Sequence, residues 1–181
     1  TEASSPCVLW IDELEKAFAG ASAQGGSEVT TRLFGSFLTW MQEKDSLAFV
    51  VATANNISNL PPELMRKGRF DEIFYVDFPN QGEREKIASL HIGKRRRQDL
   101  AQIDVVALAK KLDGYCGADI ESVVRDCIEA AFVAGKEHVT TEDLQAAIRR
   151  THPISETMKD AIESMAKTYK SKKFTNASRE A

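Results

Sequence analysis

The feature that most constrains this chain is a pair of short, continuous apolar runs that each end in polar residues. The first run, Cys7 to Ile11, is followed by Asp12 and Glu13, and the second, Leu47 to Thr53 (LAFVVAT), is followed by Asn55. Continuous apolar strands are typical of parallel sheets that helices cover on both faces. The carboxyl ends of such strands form the crevice in which open α/β sheets bind ligands. We therefore predict two buried parallel strands with polar side chains at their carboxyl ends.

The segments around these two runs complete an α/β pattern. Residues 19–30 (AGASAQGGSEVT) lack periodicity and predict a loop. In residues 31–42 the apolar positions recur at three- and four-residue spacing, which predicts an amphipathic helix. A third strand is predicted over residues 73–78, before Pro79 and Asn80.

Beyond residue 80 the β-rich runs stop and helical patterns continue to the end of the chain. We expect an α/β domain over 1–80, a helical domain over 81–151, and a last helix with a basic, frayed tail over 152–181. The predicted helices are 83–92, 104–112, 118–134, 141–150 and 156–169. The helix 118–134 is the most amphipathic, and its predicted buried face includes Phe132.

Composition excludes several classes of protein. The 181 residues are 43% hydrophobic and 28% charged, close to an ordinary globular protein and unlike a disordered or fibrous chain. The net charge of -3 gives no global attraction to nucleic acid or anionic lipid. No apolar stretch approaches the roughly 20 residues that cross a bilayer, so we expect no membrane span. Three cysteines without metal-ligand spacing favour reduced thiols and a cytoplasmic location.

Polar residues after the strands have the types that phosphoryl-transfer chemistry needs. Four apolar residues followed by Asp-Glu fit a Walker B strand, in which Asp12 holds Mg²⁺ through water and Glu13 polarises the attacking water. The same pair also fits exposed acids that end a strand. Asn55 can contact a phosphate and a water without adding negative charge, or it can be a turn residue. Arg66 and Arg69 can face phosphate oxygens, or belong to a solvated turn.

Together and in this order, CVLWIDE, VVATANN and LPPELMRKGRFDE resemble the Walker B, sensor-1 and second-region-of-homology segments of the AAA ATPases. DGYCGADI, at residues 113–120, resembles the turn that opens a helix in the AAA lid domain. The segment TTRLFGSFLTWMQEK, with the residues from VVATANN to DFP, is similar to the AAA proteins of a plastid conserved open reading frame and their bacterial relatives. The resemblance extends to about residue 150.

This resemblance implies a fold and a set of roles. The fold is the carboxyl-terminal half of a P-loop NTPase (AAA) parallel-sheet domain followed by an all-helical lid domain. Asp12 aligns with the Mg²⁺ carboxylate, Glu13 with the catalytic glutamate and Asn55 with the sensor-1 amide. Arg66 and Arg69 align with arginine fingers, which in the family reach the nucleotide of the adjacent subunit. A homo-oligomeric ring, typically a hexamer, is implied.

The nucleotide's other contacts are implied in the helical part. His91 matches a family histidine near the ribose and base, and Gly117 and Ala118 match the lid's adenine contact. His91 also fits a solvent-facing histidine on a linker helix. The implied cofactors are ATP and Mg²⁺, and the implied activity is ATP hydrolysis coupled to remodelling of an unidentified protein partner. The implied location is the cytoplasm, or the plastid stroma for a chloroplast-encoded chain.

A phosphate-binding loop is not found in these 181 residues. No GxxxxGK[ST] occurs, and the Gly-Lys pairs at 93–94 and 135–136 do not follow a strand. In AAA proteins that loop lies upstream of Walker B, so we expect this chain to be the later part of a longer protein. We accordingly expect a partial sheet and no ATPase activity of the chain by itself.

Two other functions stay open. A non-hydrolysing scaffold or regulatory nucleotide-binding subunit would not need Asp12, Glu13, Asn55 and both arginines together. Nucleic-acid binding would use the basic residues of 94–97 and of the tail, giving salt-sensitive, sequence-blind affinity. The basic residues concerned are Lys94, Arg95, Arg96, Arg97, Lys170, Lys172 and Lys173.

Overall fold

Two separate hydrophobic cores divide the chain into two compact units, Thr1–Ile73 and Phe74–Ala181. The computed structural model describes residues 2–18, 28–66, 68–172 and 174–178. The division falls before residue 74 because the strand that begins there pairs within the second unit. The domain ranges 1–80, 81–151 and 152–181 stay predictions.

The first unit is built on two parallel strands. Strand β1 (Cys7–Ile11) is followed by a four-residue helix α1 (Leu14–Ala17), and helix α2 (Glu28–Glu43) precedes strand β2 (Ala48–Ala52). The strands pair in parallel from Cys7↔Ala48 to Ile11↔Ala52. Short 3₁₀ helices lie at Glu2–Ser4, Ile57–Asn59 and Pro62–Met65.

One face of this small sheet is packed and the other is open. Leu14, Phe34 and Leu64 are buried together, and apolar residues of β1, β2 and α2 pack around them. The side chains of Val8 and Trp10, by contrast, are 66% and 62% exposed. Phe49 of β2 is likewise 70% exposed, so the prediction that these strands are buried on both faces is wrong for the residues described.

The second unit contains six helices, α3 to α8, and one pair of short strands within its described residues. The helices are α3 (Gln81–Arg95), α4 (Val105–Lys111), α5 (Gly117–Val133), α6 (Thr141–Ile148), α7 (Ile154–Thr157) and α8 (Lys159–Ser171). A 3₁₀ turn lies at Leu100–Gln102. Helices α3 to α6 pack around one apolar core that includes Ile92, Leu108, Ile120 and Leu144, each at most 2% exposed.

Local sequence explains where these helices begin and end. Asn80 accepts a hydrogen bond from the Glu83 amide at 3.0 Å, and the Glu83 carboxylate accepts one from the Asn80 amide at 2.9 Å. This capping box satisfies two amides that the first turn of α3 leaves unpaired. Thr140 and Asp143 make the same exchange at α6. After α4, Gly114 takes the left-handed conformation with φ 76°, which glycine adopts without steric cost.

The third predicted strand is wrong in extent and in setting. Strand β3 is only Phe74–Tyr75, and it pairs in parallel with β4 (Thr175–Asn176). The ring of Tyr169 lies 4.6 Å from that of Tyr75, between centroids, and 6.3 Å from that of Phe174. The predicted fraying of the tail is accordingly wrong for residues 174–178, which these pairings hold in place.

Other predicted elements shift at their edges. The loop predicted over 19–30 falls mostly on residues 19–27, which lie outside the described residues, and residues 28–30 begin α2 instead. Phe132, predicted on the buried face of α5, is 83% exposed. Its neighbour Ala131 is 6% exposed and belongs to the core, so Phe132, one residue further along the helix, lies off the packed face. The predicted last helix is divided into α7 and α8 at Met158. The α/β fold class followed by helices is confirmed.

Candidate functional site

The ends of β1 and β2 bring three of the predicted site residues together. The ladder continues one step beyond the strands, because the Thr53 amide donates to the Ile11 carbonyl at 2.9 Å. The chain then turns back, and the Leu14 amide donates to the Thr53 carbonyl at 2.8 Å. Asp12 and Glu13 consequently lie beside the residues that follow β2, as the parallel pairing of the two apolar runs requires.

Thr53 connects the two acidic residues. Its hydroxyl accepts a hydrogen bond from the Glu13 amide at 3.1 Å and donates one to Oδ1 of Asp12. One hydroxyl can do both because it carries a donor and two acceptor lone pairs. Thr53 was not among the predicted site residues, although its place as the last residue of the second apolar run was a usable signal.

Glu13 occupies the turn between β1 and α1. Its backbone is left-handed, with φ 51° and ψ 53°, a conformation that costs a non-glycine residue of the order of 1 kcal/mol. Its Oε1 accepts from Asn55 Nδ2 at 3.3 Å and from Lys16 Nζ at 2.7 Å. The hydrogen bond to Glu13, together with the negative charge beside it, raises the pKa of Lys16. Sequence reasoning missed Lys16 as a partner of this carboxylate.

Glu15 is the third residue of the site, after Thr53 and Lys16, that was not predicted from the sequence. It is 7% exposed and lies on α1, next to the buried Leu14. Its Oε1 accepts a hydrogen bond from the backbone amide of Asn55 at 3.1 Å. Its Oε2 is buried without a hydrogen-bond partner among the described residues. Three of the four residues Asp12-Glu13-Leu14-Glu15 are acidic, which was visible in the sequence, but not which acid would be buried.

The donor set around Asp12 fits Mg²⁺ by its chemistry. The Asp12 carboxylate, the Glu13 carboxylate and the Thr53 hydroxyl all offer hard oxygen ligands, which Mg²⁺ prefers. The described residues contain no group of three or more acidic, His or Cys side chains arranged to hold a metal ion. Mg²⁺ is usually held by one or two carboxylates together with waters and substrate phosphates.

The two predicted arginines lie in a separate turn of the same unit. Arg66 follows the 3₁₀ helix Pro62–Met65 and is exposed. Arg69 is half-buried, and its Nη1 donates to the carbonyl oxygen of Glu63. Residue 67, between them, lies outside the described residues. The turn thus presents Arg66 to solvent and engages Arg69 with its own backbone.

The remaining predicted residues belong to the helical unit. The side chain of His91, on α3, is only 14% exposed, so it is not the solvent-facing histidine of the alternative interpretation. Its Nδ1 lies 3.6 Å from Oε1 of Glu121 and 3.4 Å from Nη1 of Arg95. Arg95 in turn donates to Glu121 at 2.6 Å, and this hydrogen bond lowers the pKa of Glu121.

Gly117 and Ala118 form the first turn of α5. The space where a Cβ of Gly117 would point has no atom within 4 Å, and Ala118 is exposed. Asp119 follows them, and its Oδ2 accepts from the amides of Cys116 at 3.0 Å and Ile154 at 3.3 Å. The helix start is thus held by Asp119 while the two small residues before it stay accessible.

Two family models match this chain. The model described as "ATPase family associated with various cellular activities (AAA)" matches residues 1–78, and the AAA+ lid domain model matches residues 102–146. The matches follow the order of the two units. Among the described residues, no helix combines the length and the apolar character needed to cross a membrane.

Curated relatives give the same assignment. The chain is 44% identical over 165 residues to the uncharacterized AAA domain-containing protein ycf46 of Pyropia yezoensis, covering 91% of this chain and 33% of that protein. Against the protein of the same name from Guillardia theta it is 43% identical, covering 91% and 32%. Against the ATP-dependent zinc metalloprotease FtsH of Thermus thermophilus it is 32% identical, covering 81% and 24%. The chain thus spans at most about a third of the length of these relatives.

Proposed function

This chain belongs to the AAA ATPase family, and from that premise we propose that it supplies the hydrolytic half of an ATP-binding and ATP-hydrolysing module. The observation that carries the proposal is the joining of Asp12, Glu13 and Asn55 at the end of one parallel strand pair. If Asp12 and Glu13 were only exposed acids at a strand end, nothing would require the Asn55 side chain to donate to the Glu13 carboxylate. Nor would a hydroxyl, that of Thr53, be needed to connect the two acids.

Each residue has a role that its position supports. Asp12, oriented by the Thr53 hydroxyl, would hold Mg²⁺ through water. Glu13 would orient and polarise the water that attacks the γ-phosphate, with Asn55 fixing its carboxylate. Bound Mg²⁺ would supply charge neutralisation on the phosphate oxygens. The left-handed turn at Glu13 supports this assignment, because backbone strain tends to be retained at functional positions.

The helical unit would supply contacts to the nucleoside. We assign His91 to the ribose and base, and the accessible start of α5 at Gly117 and Ala118 to the adenine. The partial burial of the His91 ring and its proximity to Glu121 support a fixed orientation for that ring. The open space at Gly117 supports close approach of a ligand to the backbone.

Ring assembly and remodelling are the finer parts of the proposal. Arg66, exposed on its turn, is the better-placed finger for the nucleotide of a neighbouring subunit, with Arg69 bracing the turn through Glu63. An arginine placed at the γ-phosphate is worth about 10³ to 10⁵ in rate. A homo-oligomeric ring, a hexamer, would couple this hydrolysis to remodelling of a protein partner, in the cytoplasm or the plastid stroma.

The test of the proposal replaces Glu13 by Gln in the full-length protein. The amide keeps the shape and the contact with Asn55 but cannot polarise water as a carboxylate does. We expect Glu13→Gln to bind ATP with unchanged affinity and to lose turnover by about 10²-fold or more. Glu43→Gln, at the exposed end of α2, is the matched control and should turn over normally. Normal turnover by Glu13→Gln would show that the assignment is wrong.

The alternative functions gain no support from the structure. A non-hydrolysing scaffold has no need of the hydrogen-bonded Asp12, Thr53, Glu13 and Asn55. In the basic segment 94–97, Arg95 is paired with Glu121 and Arg96 with the buried Asp99. Those pairs reduce the charge that the segment can offer to phosphates, and Lys173 of the tail lies outside the described residues. ATP hydrolysis is therefore the better-supported function.

A further inference from the structure

Glu15 is a buried acid that the proposed chemistry does not use directly. It lies two residues after Glu13 on α1, is 7% exposed, and is packed beside the core formed by Leu14, Phe34 and Leu64. Burying a carboxylate is costly unless hydrogen bonds compensate. Only its Oε1 has a partner among the described residues, whereas Oε2 is buried without one. For packing alone, an apolar side chain of this length would serve better.

The partner that Glu15 does have connects it to the site. Its Oε1 accepts the backbone amide of Asn55 at 3.1 Å, and the side chain of the same Asn55 donates to Glu13 at 3.3 Å. Asn55 comes after β2 has ended, where its amide has left the strand ladder. A backbone amide beyond a strand end needs another acceptor. Glu15 supplies that acceptor from α1, the helix that follows the other strand, β1. The acceptor therefore fixes the backbone from which the Asn55 amide group projects.

We propose that Glu15 is a positioning residue: through its hydrogen bond to the Asn55 backbone it holds the Asn55 side chain on the Glu13 carboxylate. This inference rests on the proposed function and assigns a further residue to the same site. Its action depends on the acceptor oxygen and not on the negative charge. Misplacement of a catalytic group by about 1 Å can cost of the order of 10²-fold in rate, so one misplaced amide is enough for a measurable effect.

The experiment compares Glu15→Met with Glu15→Gln in the full-length protein. The two side chains have similar length, but only Gln keeps an acceptor oxygen for the Asn55 amide. We expect Glu15→Met to lower kcat about tenfold or more while KM for ATP changes less than about twofold. Glu15→Gln should keep kcat within about twofold, which is the rescue that an acceptor role requires. Glu43→Met, exposed at the end of α2, controls for removal of an acid.

Two further measurements separate positioning from a general loss of structure. In the nucleotide-free protein, hydrogen exchange of the Asn55 amide should be about tenfold faster in Glu15→Met than in Glu15→Gln, because that amide loses its acceptor. In an Asn55→Ala background, adding Glu15→Met should leave kcat unchanged, because the residue through which Glu15 acts is already gone. If Glu15→Met loses as much kcat in that background as alone, Glu15 does not act through Asn55.

The outcomes distinguish this inference from the proposed function. If the wild-type protein hydrolyses ATP, Glu13→Gln does not, and Glu15→Met turns over normally, only the role of Glu15 is overturned. If the wild-type protein does not hydrolyse ATP, or hydrolyses it without needing Glu13, both the proposed function and the role of Glu15 are overturned. If Glu15→Met does not fold, Glu15→Gln alone decides: kcat within about twofold of wild type supports the acceptor role, and any larger loss overturns it.

Discussion

Asp99 is a fully buried carboxylate of the helical unit, and replacing it tests how that unit is held together. Its Oδ2 accepts from Arg96 Nε at 2.8 Å and from the Val139 amide at 3.1 Å, and its Oδ1 lies 2.8 Å from Nδ1 of His138. These contacts join the segment after α3 to the segment before α6. Charge-assisted hydrogen bonds of this kind are stronger than neutral ones, so we expect this carboxylate to contribute measurably to stability.

The size of that contribution follows from its titration. Burial by itself raises the pKa of Asp99, but the hydrogen bonds from His138, Arg96 and the Val139 amide outweigh burial and lower the pKa from 3.8 to about 2. Since each pKa unit is worth about 1.4 kcal/mol, the ionised form stabilises the fold by about 2 kcal/mol. Because the folded-state pKa is the lower one, this stability is present above about pH 4 and is lost as the pH falls through about 2.

The substitution Asp99→Asn removes the charge and keeps the shape. Removing one partner of a buried ion pair costs about 3–5 kcal/mol. Arg96 and His138 are 24% and 56% exposed and can turn to water, so we expect a loss nearer 2–3 kcal/mol. Asp126→Asn is the matched control: Asp126 is half-exposed beside Arg125 on α5, and its loss should cost less than about 0.5 kcal/mol.

In urea unfolding, the far-UV circular dichroism signal comes mainly from the helical unit, which contains α3 to α8, whereas the first unit contributes α1 and α2. Both tryptophans, Trp10 and Trp40, belong to the first unit, so tryptophan fluorescence reports that unit separately. The difference in unfolding free energy between wild type and Asp99→Asn should be about 2–3 kcal/mol at pH 5. By pH 3 this difference should shrink by about 1 kcal/mol, because about half of the stability that comes from ionised Asp99 is lost at that pH. A difference below about 0.5 kcal/mol at pH 5, or one that does not change with pH, would refute this reasoning.

Two further predictions concern the first unit and use urea unfolding followed by tryptophan fluorescence. Thr53→Val removes the hydroxyl that joins Asp12 to the Glu13 amide, and should cost about 1–2 kcal/mol and lower kcat in the full-length protein; Thr39→Val, exposed on α2, should change neither. Leu64→Ala, at a position 1% exposed, should cost about 2–5 kcal/mol, whereas Leu33→Ala, at 62% exposure, should cost less than about 0.5. Equal costs for the two leucines would contradict the core assignment.

Much of the local structure could be predicted from the sequence because local patterns determine it. The strand Cys7–Ile11 is found as predicted, and the second strand shortens only to Ala48–Ala52. The helix predicted at 118–134 is found at Gly117–Val133, since its apolar spacing covers more than four turns. The setting of Phe74–Tyr75 was not predictable from its own residues, because its partner strand lies about a hundred residues later. Apolar character indicates a strand but not which strand pairs with it.

The candidate site divides in the same way. Asp12, Glu13 and Asn55 could be placed from their positions after two apolar runs, because parallel pairing brings strand ends together. Thr53 could have been included as the last residue of the second apolar run, but Glu15 and Lys16 could not be assigned, because their contacts depend on the turn that follows β1. That turn is left-handed at Glu13, a conformation that a glutamate rarely adopts and that no local pattern announces.

The left-handed turn at Glu13 explains why consecutive residues of one short segment have opposite environments. Reversal of the chain at Glu13 lets the Leu14 amide donate to the Thr53 carbonyl, and Leu14 becomes 2% exposed. Burial of a leucine side chain contributes about 1.5–3 kcal/mol, more than the roughly 1 kcal/mol that the strained backbone costs. Core packing at Leu14 and Glu15 therefore holds Glu13 outward, where its carboxylate meets Asn55 and Lys16. The acid proposed to activate water is thus positioned by its buried neighbours. Small displacements of α1 should therefore lower kcat before they unfold the first unit.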